Sequence, residues 1–172
     1  MMLKLIAAAL LALGAGQAAP TVPAPEAKAE VQSDKPRVLY YPVDADAAKV
    51  FDQALAKARG DNARAVIVFG ADWCHDSRAL GKLLTSDAFK SEFGSRFEVT
   101  FIDVGRPQTG EGRNLELVRK LGVKDLKSTP AMFVLRGDGK VLNGKKDAVS
   151  WRNAESRGTD KILAWFRDFK KS

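Results

Sequence analysis

Ala65 to Phe69 is a continuous apolar run with no polar alternation, the pattern of a strand covered on both faces of a sheet. It stops at Gly70, and the polar corner Ala71-Asp72 leads to Trp73-Cys74-His75-Asp76-Ser77, where Cys74 opens a predicted helix carrying Leu80, Leu83 and Leu84 on its inner side. Upstream, Val38 to Tyr41 reads as a first strand ended by Pro42. Ala47, Val50, Phe51, Ala54, Leu55 and Ala58 then recur at helical spacing, with Asp44 as the N-cap and Gly60 as the stop. Downstream, a short helix is expected over Asp87–Phe93 after Ser86, another buried strand over Phe97–Val104, and a helix over Leu115–Leu121 ended by Gly122. Arg106 to Arg113 is polar and reads as a loop. Ala131–Leu135 and Lys140–Leu142 flank Gly137-Asp138-Gly139, a hairpin signal. Thr159 caps a last helix whose apolar residues are Ile162, Leu163, Phe166 and Phe169. No internal repeat is present.

The two ends of the pattern differ from this body. Met1–Lys4 is a short basic start, Leu5–Leu13 is apolar, and Gly16-Gln17-Ala18 offers small residues for cleavage before Ala19. Residues 1–18 therefore read as a secretory signal, the apolar run being shorter than the ~20 residues a spanning helix needs. An uncleaved anchor is the competing reading. With no cysteine near the cleavage point, a lipid-modified anchor is excluded. Residues 19–36, punctuated by Pro20, Pro23, Pro25 and Pro36, read as an extended Pro/Ala-rich linker, and the folded domain is expected over 37–172. Export to a bacterial periplasm and no stable membrane insertion after cleavage are the resulting expectations.

Composition changes little. The 172 residues are 45% hydrophobic and 28% charged, as in ordinary globular proteins. The formal charge of +7 is spread over scattered Lys and Arg, without the focused stripe or motif that nucleic-acid binding requires. The single cysteine changes much more. It cannot form a disulfide within the chain, so in an oxidising compartment it is either buried and inert or a thiol available for chemistry.

A strand leading into Ala71-Asp72-Trp73-Cys74 at a helix start, with Thr129-Pro130 set immediately before a second apolar strand, resembles the thioredoxin superfamily. Its exported bacterial branch, which includes the C-terminal domain of the transmembrane disulfide reductase, shows a similar opening followed by a helix start like Ser86-Asp87. The resemblance spans about Arg37 to Lys170. It implies an α/β thioredoxin fold, a central mixed β-sheet flanked by helices, with an N-terminal β-α extension. It implies a cis Pro130 facing the cysteine, with Thr129 and Pro130 binding the substrate strand by β-pairing. Thr-Pro at this corner is also similar to the exported disulfide isomerases.

The chemistry follows from what is present and what is replaced. A helix N-terminus offers unpaired N–H groups and a positive dipole end, both of which stabilise an anion at Cys74. His75 adds positive charge when protonated and Asp76 opposes it; with Trp73 they form the environment of the thiol. Ser77 stands where the family has its second cysteine. A hydroxyl cannot resolve a mixed disulfide, and its active-site role is expected to be a hydrogen bond to the Cys74 sulfur, beside a plain place in the first turn. Val68 stands where thioredoxins carry a buried acid, and Val99 where they carry a lysine, so the proton relay for a resolving cysteine is missing with that cysteine. These features fit a single-thiol (Cys-x-x-Ser) protein that exchanges disulfides through Cys74 by isomerisation or deglutathionylation, with protein thiols and disulfides or glutathione-like thiols as partners. The alternative is a redox-inactive binding module using the Trp73–Pro130 groove. A Cys-His protease is excluded because His75 is adjacent to Cys74 and does not face it. A one-cysteine peroxiredoxin is disfavoured by Ala71, where that family has threonine. With one His beside one Cys, neither a metal nor a cofactor is expected.

Overall fold

The structure is a computed structural model in which residues 37–169 are described; the expected signal and linker lie outside them. β1 (Arg64–Gly70) is buried at every position because it runs through the middle of a three-stranded sheet. β2 (Phe97–Asp103) pairs with it in parallel and β5 (Ala131–Arg136) antiparallel. The sheet is mixed, as expected.

Alternate β1 side chains point to opposite faces, and each face has its own cover. Ile67 and Phe69 pack with α1 (Ala47–Gly60), α4 (Leu115–Lys120) and Ala148. Val66 and Val68 pack with α2 (His75–Leu84), α3 (Asp87–Phe93) and an aromatic group of Phe89, Phe93, Phe97, Trp151 and Phe166. Two covered faces explain why β1 reads as a run and not as an alternation. Val68 is thus one more core side chain, fully buried.

Four expectations are corrected. Val38–Tyr41 forms no strand: Val38 and Leu39 are exposed, and the N–H groups of Tyr40 and Tyr41 donate to the Asp72 carboxylate and not to a neighbouring strand. Of the N-terminal β-α extension, the described residues keep only the helix. That helix is capped by Asp46, which accepts the Lys49 N–H at 3.1 Å, and not by Asp44. Lys140–Leu142 reduces to one bridge, Leu135 to Val141. Asn143 takes over beyond it, its amide accepting the Val134 N–H at 2.8 Å and donating to the Met132 carbonyl at 2.9 Å, the pair of bonds a strand residue would make. Finally, Thr159 is the first helical residue of α7 (Thr159–Asp168); the cap is Gly158, at φ 80°.

The Arg106–Arg113 segment is more ordered than a loop. It contains a minimal hairpin, β3 (Gly105–Arg106) and β4 (Glu111–Gly112), around a 3-10 turn. Between Asn143 and α7 lie α5 (Lys145–Ser150), a 3-10 turn at Trp151–Asn153, and α6 (Ala154–Arg157). Among the described residues no helix is long and apolar enough to cross a membrane.

Candidate active site

β1 ends at Gly70, where no larger residue fits without a shift. A Cβ would lie 2.7 Å from Ser77 Oγ and 2.7 Å from carbons of the Tyr41 ring. The chain then turns through Ala71-Asp72-Trp73, and the Cys74 N–H closes the turn on the Ala71 carbonyl at 3.1 Å. Cys74 is the N-cap of α2, and its side chain makes no cap bond. A Ser, Thr, Asp or Asn here would contribute about 0.5–2 kcal/mol by capping; the thiol forgoes it.

Cys74 is 6% exposed. Its Sγ lies 3.5 Å from the Thr129 carbonyl, to which the thiol donates, and the Thr129–Pro130 peptide bond is cis. The two motifs, 55 residues apart in sequence, meet at this contact. The Thr129 hydroxyl is buried and has no hydrogen-bond partner.

The neighbours of Cys74 are tied in different directions. Trp73, 38% exposed, donates its indole N–H to the Gly105 carbonyl at 2.9 Å and carries the Arg106 guanidinium 5.0 Å from its ring centre. The β3–β4 hairpin therefore holds the tryptophan by edge and face. His75 points to solvent, its Nε2 3.1 Å from Asp76 Oδ2 and 3.8 Å from Glu155 Oε2. Asp76 turns inward and accepts the Glu155 N–H at 2.8 Å, which ties α2 to α6. Ser77 is fully buried. Its hydroxyl accepts the Ala71 N–H at 3.4 Å, its carbonyl accepts the Tyr41 hydroxyl at 3.1 Å, and no hydrogen bond joins it to the Cys74 sulfur. The expected donation from Ser77 to the thiol is absent.

Several site residues were not singled out from sequence. Asp72 gathers the N-terminal segment: its carboxylate accepts the Tyr40 and Tyr41 N–H groups, each at 3.0 Å, and its carbonyl accepts from Arg78 and Arg37. Burial pushes the Tyr41 phenol well above its ordinary pKa, and the nearby Asp72, Cys74 and Asp103 push it the same way. Asp103, opposite Gly70 in the sheet, accepts the Gly105 N–H at 2.9 Å and lies 3.3 Å from Arg113 Nε. Burial raises its carboxyl pKa; those two partners oppose the shift. The signal for Asp72 was its place in the Ala71-Asp72-Trp73-Cys74 opening, and for Asp103 only an acid at the end of a strand.

Two depressions flank the corner. A cleft of about 1040 Å³ is lined by Leu39, Val43, Trp73, Asp103, Arg106 and Arg113. A groove of about 660 Å³ runs beside α2, past His75, Arg78, Lys82 and Glu155. No cluster of His, Cys, Asp and Glu fit to hold a metal occurs among the described residues.

Residues 51–152 match the family model described as a thioredoxin-like domain. Comparison with curated protein sequences gives no match. Among solved structures, a disulphide isomerase from Xylella fastidiosa Temecula1 is similar, with 34% identity and a TM-score of 0.68 over 78% of this chain and 98% of that one.

Proposed function

This chain belongs to the thioredoxin-like family, and from that premise we propose that it is an exported single-thiol protein exchanging disulfides in polypeptide substrates through Cys74. One observation carries the reading: the only thiol sits at the N-cap position of α2, 3.5 Å from the carbonyl of the cis Thr129–Pro130 corner. The solved disulphide isomerase at 34% identity supports polypeptide thiols and disulfides as the substrate class.

In the proposed step the Cys74 thiolate attacks one sulfur of a substrate disulfide. A Cys74–substrate S–S bond forms, the substrate S–S bond breaks, and the second substrate sulfur leaves as a thiolate. An extended substrate segment lies against Thr129 and Pro130, with Trp73 beside the sulfur. Ser77 has no sulfur, so the chain does not resolve this adduct. Another substrate thiol releases Cys74 with no net oxidation, which is isomerisation; a glutathione-like thiol also releases it, leaving that thiol on the substrate. Attack on the glutathione-side sulfur of a glutathionylated protein forms a Cys74–glutathione disulfide and releases the protein thiolate, which is deglutathionylation; a second glutathione-like thiol then frees Cys74 and leaves joined to the first as their disulfide. The Leu5–Leu13 run supports export, which N-terminal sequencing of the mature protein checks at Ala19.

The test is capture. Incubated with a scrambled disulfide protein, the wild type accumulates a mixed disulfide, Cys74→Ser forms none, and Ser77→Cys, which restores a resolving thiol, shortens its lifetime. Absence of any adduct with the folded wild type would leave the second reading, a binding module around Trp73 and Pro130, which the low exposure of Cys74 favours.

A further inference from the structure

Beside the Thr129–Pro130 corner, reaching Ser128, is a third depression, about 340 Å³, not used by the exchange chemistry. Lys127, Lys145, Lys146 and Arg152 line it together with Asp125 and the apolar Leu126 and Val149. Lys127 is paired with Asp125, but Lys145, Lys146 and Arg152 make no ion pair among the described residues. The Lys145 side chain is laid into the depression across Gly122, where a Cβ would sit 2.8 Å from its Nζ and where φ is +90°. The stretch from Asn114 to Arg152, which includes the whole depression, holds nine Lys and Arg against four Asp and Glu. Much of the chain's +7 is therefore concentrated in this part of the sequence.

Ser128 also lines this depression, and the next residue, Thr129, offers its carbonyl to Cys74 Sγ. A polypeptide seated at the corner thus has its next residues over three unpaired cations. The cations stand on two successive elements, α5 and the 3-10 turn at Trp151–Asn153, beside the apolar Leu126 and Val149, which fits side chains that carry a carboxylate on methylenes. We propose that this depression is a substrate subsite for acidic segments, Asp- or Glu-rich stretches flanking the cysteine that Cys74 attacks. It rests on the reading of Cys74 as the exchanging thiol and names the substrates that thiol prefers.

The experiment uses three peptides of one length, each with one cysteine activated as a mixed disulfide with thionitrobenzoate. Glu, Gln or Lys flanks the cysteine. Attack by Cys74 forms the Cys74–peptide disulfide and releases thionitrobenzoate, which is followed by its colour. Electrostatic steering of this kind raises association rates by at least about tenfold, so the Glu peptide is expected to react about tenfold faster than the Gln peptide at low salt, and the Lys peptide slowest. The advantage shrinks with added salt. It disappears in the triple variant Lys145→Gln, Lys146→Gln, Arg152→Gln, whose rate with the Gln peptide is unchanged, and persists in Lys49→Gln on α1. Equal rates for the Glu and Gln peptides in the wild type would overturn the subsite while leaving exchange intact. If no peptide reacts, the exchange reading fails instead, and binding of a cysteine-free Glu peptide, followed by anisotropy against the triple variant, decides the subsite: equal binding overturns it.

Discussion

Removing the Asp72 carboxylate should loosen the N-terminal segment from the active-site corner. In Asp72→Ala the Tyr40 and Tyr41 N–H groups lose their acceptors, each now at 3.0 Å. Tyr41 is 1% exposed, and a buried donor left unpaired costs about 1–3 kcal/mol. Tyr40 is half-buried and partly regains water, so its bond contributes about 1 kcal/mol. The sum is about 2–4 kcal/mol. With a urea slope of about 2 kcal/mol/M, the unfolding midpoint falls by about 1–2 M. Asp72→Asn keeps one side-chain acceptor and should lose about half as much. Arg37 and Arg78 bond the Asp72 carbonyl, so neither substitution removes their contacts, and the loss reports the carboxylate. Asp44→Ala, exposed and without a cap role, is the control and should stay within about 0.5 kcal/mol of wild type. An Asp72→Ala midpoint no lower than that of Asp44→Ala would refute the reasoning.

Asn143→Ala removes the partner of the buried Val134 N–H and of the Met132 carbonyl together, and is expected to cost about 2–4 kcal/mol in the same unfolding assay. For Asp103, burial raises the folded carboxyl above its ordinary value, so the native state holds the proton more tightly than the unfolded chain. Stability from this group is therefore present at low pH and is lost as pH rises through the window between the ordinary and the raised value. Relative to Asp103→Asn, which cannot ionise, the wild type should lose stability across that mildly acidic window, measured by chemical unfolding at a series of pH values.

The sheet and its covering helices were legible because each strand of the mixed sheet announces itself. β1 and β5 are apolar runs; β2, expected to be buried like them, stands at the sheet edge, and Glu98–Phe101 are only partly buried. The start of α3 was legible too, since a helix was expected directly after Ser86, and the structure has the Ser86 Oγ accepting the Phe89 N–H. What failed was non-local. Val38–Tyr41 looks like a strand by composition, but its N–H groups answer to a side chain 31 residues away. Lys140–Leu142 looks like the second arm of a hairpin until Asn143 supplies the pairing from its amide. α5 and α6 are short and mostly polar on the sequence, and their burial of Ala148 and Ala154 leaves no periodic trace. At the site, the meeting of Cys74 with the Thr129–Pro130 corner followed from the paired motifs. The inward turn of the Ser77 hydroxyl did not, because it depends on the space that Gly70 leaves beneath it.

The uncapped start of α2 bears on what happens when Cys74 is occupied. A serine or aspartate there would be part of the helix's own bonding, and modifying it would tear that bonding open. The thiol takes no such part, so joining it to another sulfur forfeits only the weak contact with the Thr129 carbonyl. In the proposed exchange, α2 therefore keeps the same end bonding whether Cys74 is free or joined to a substrate sulfur.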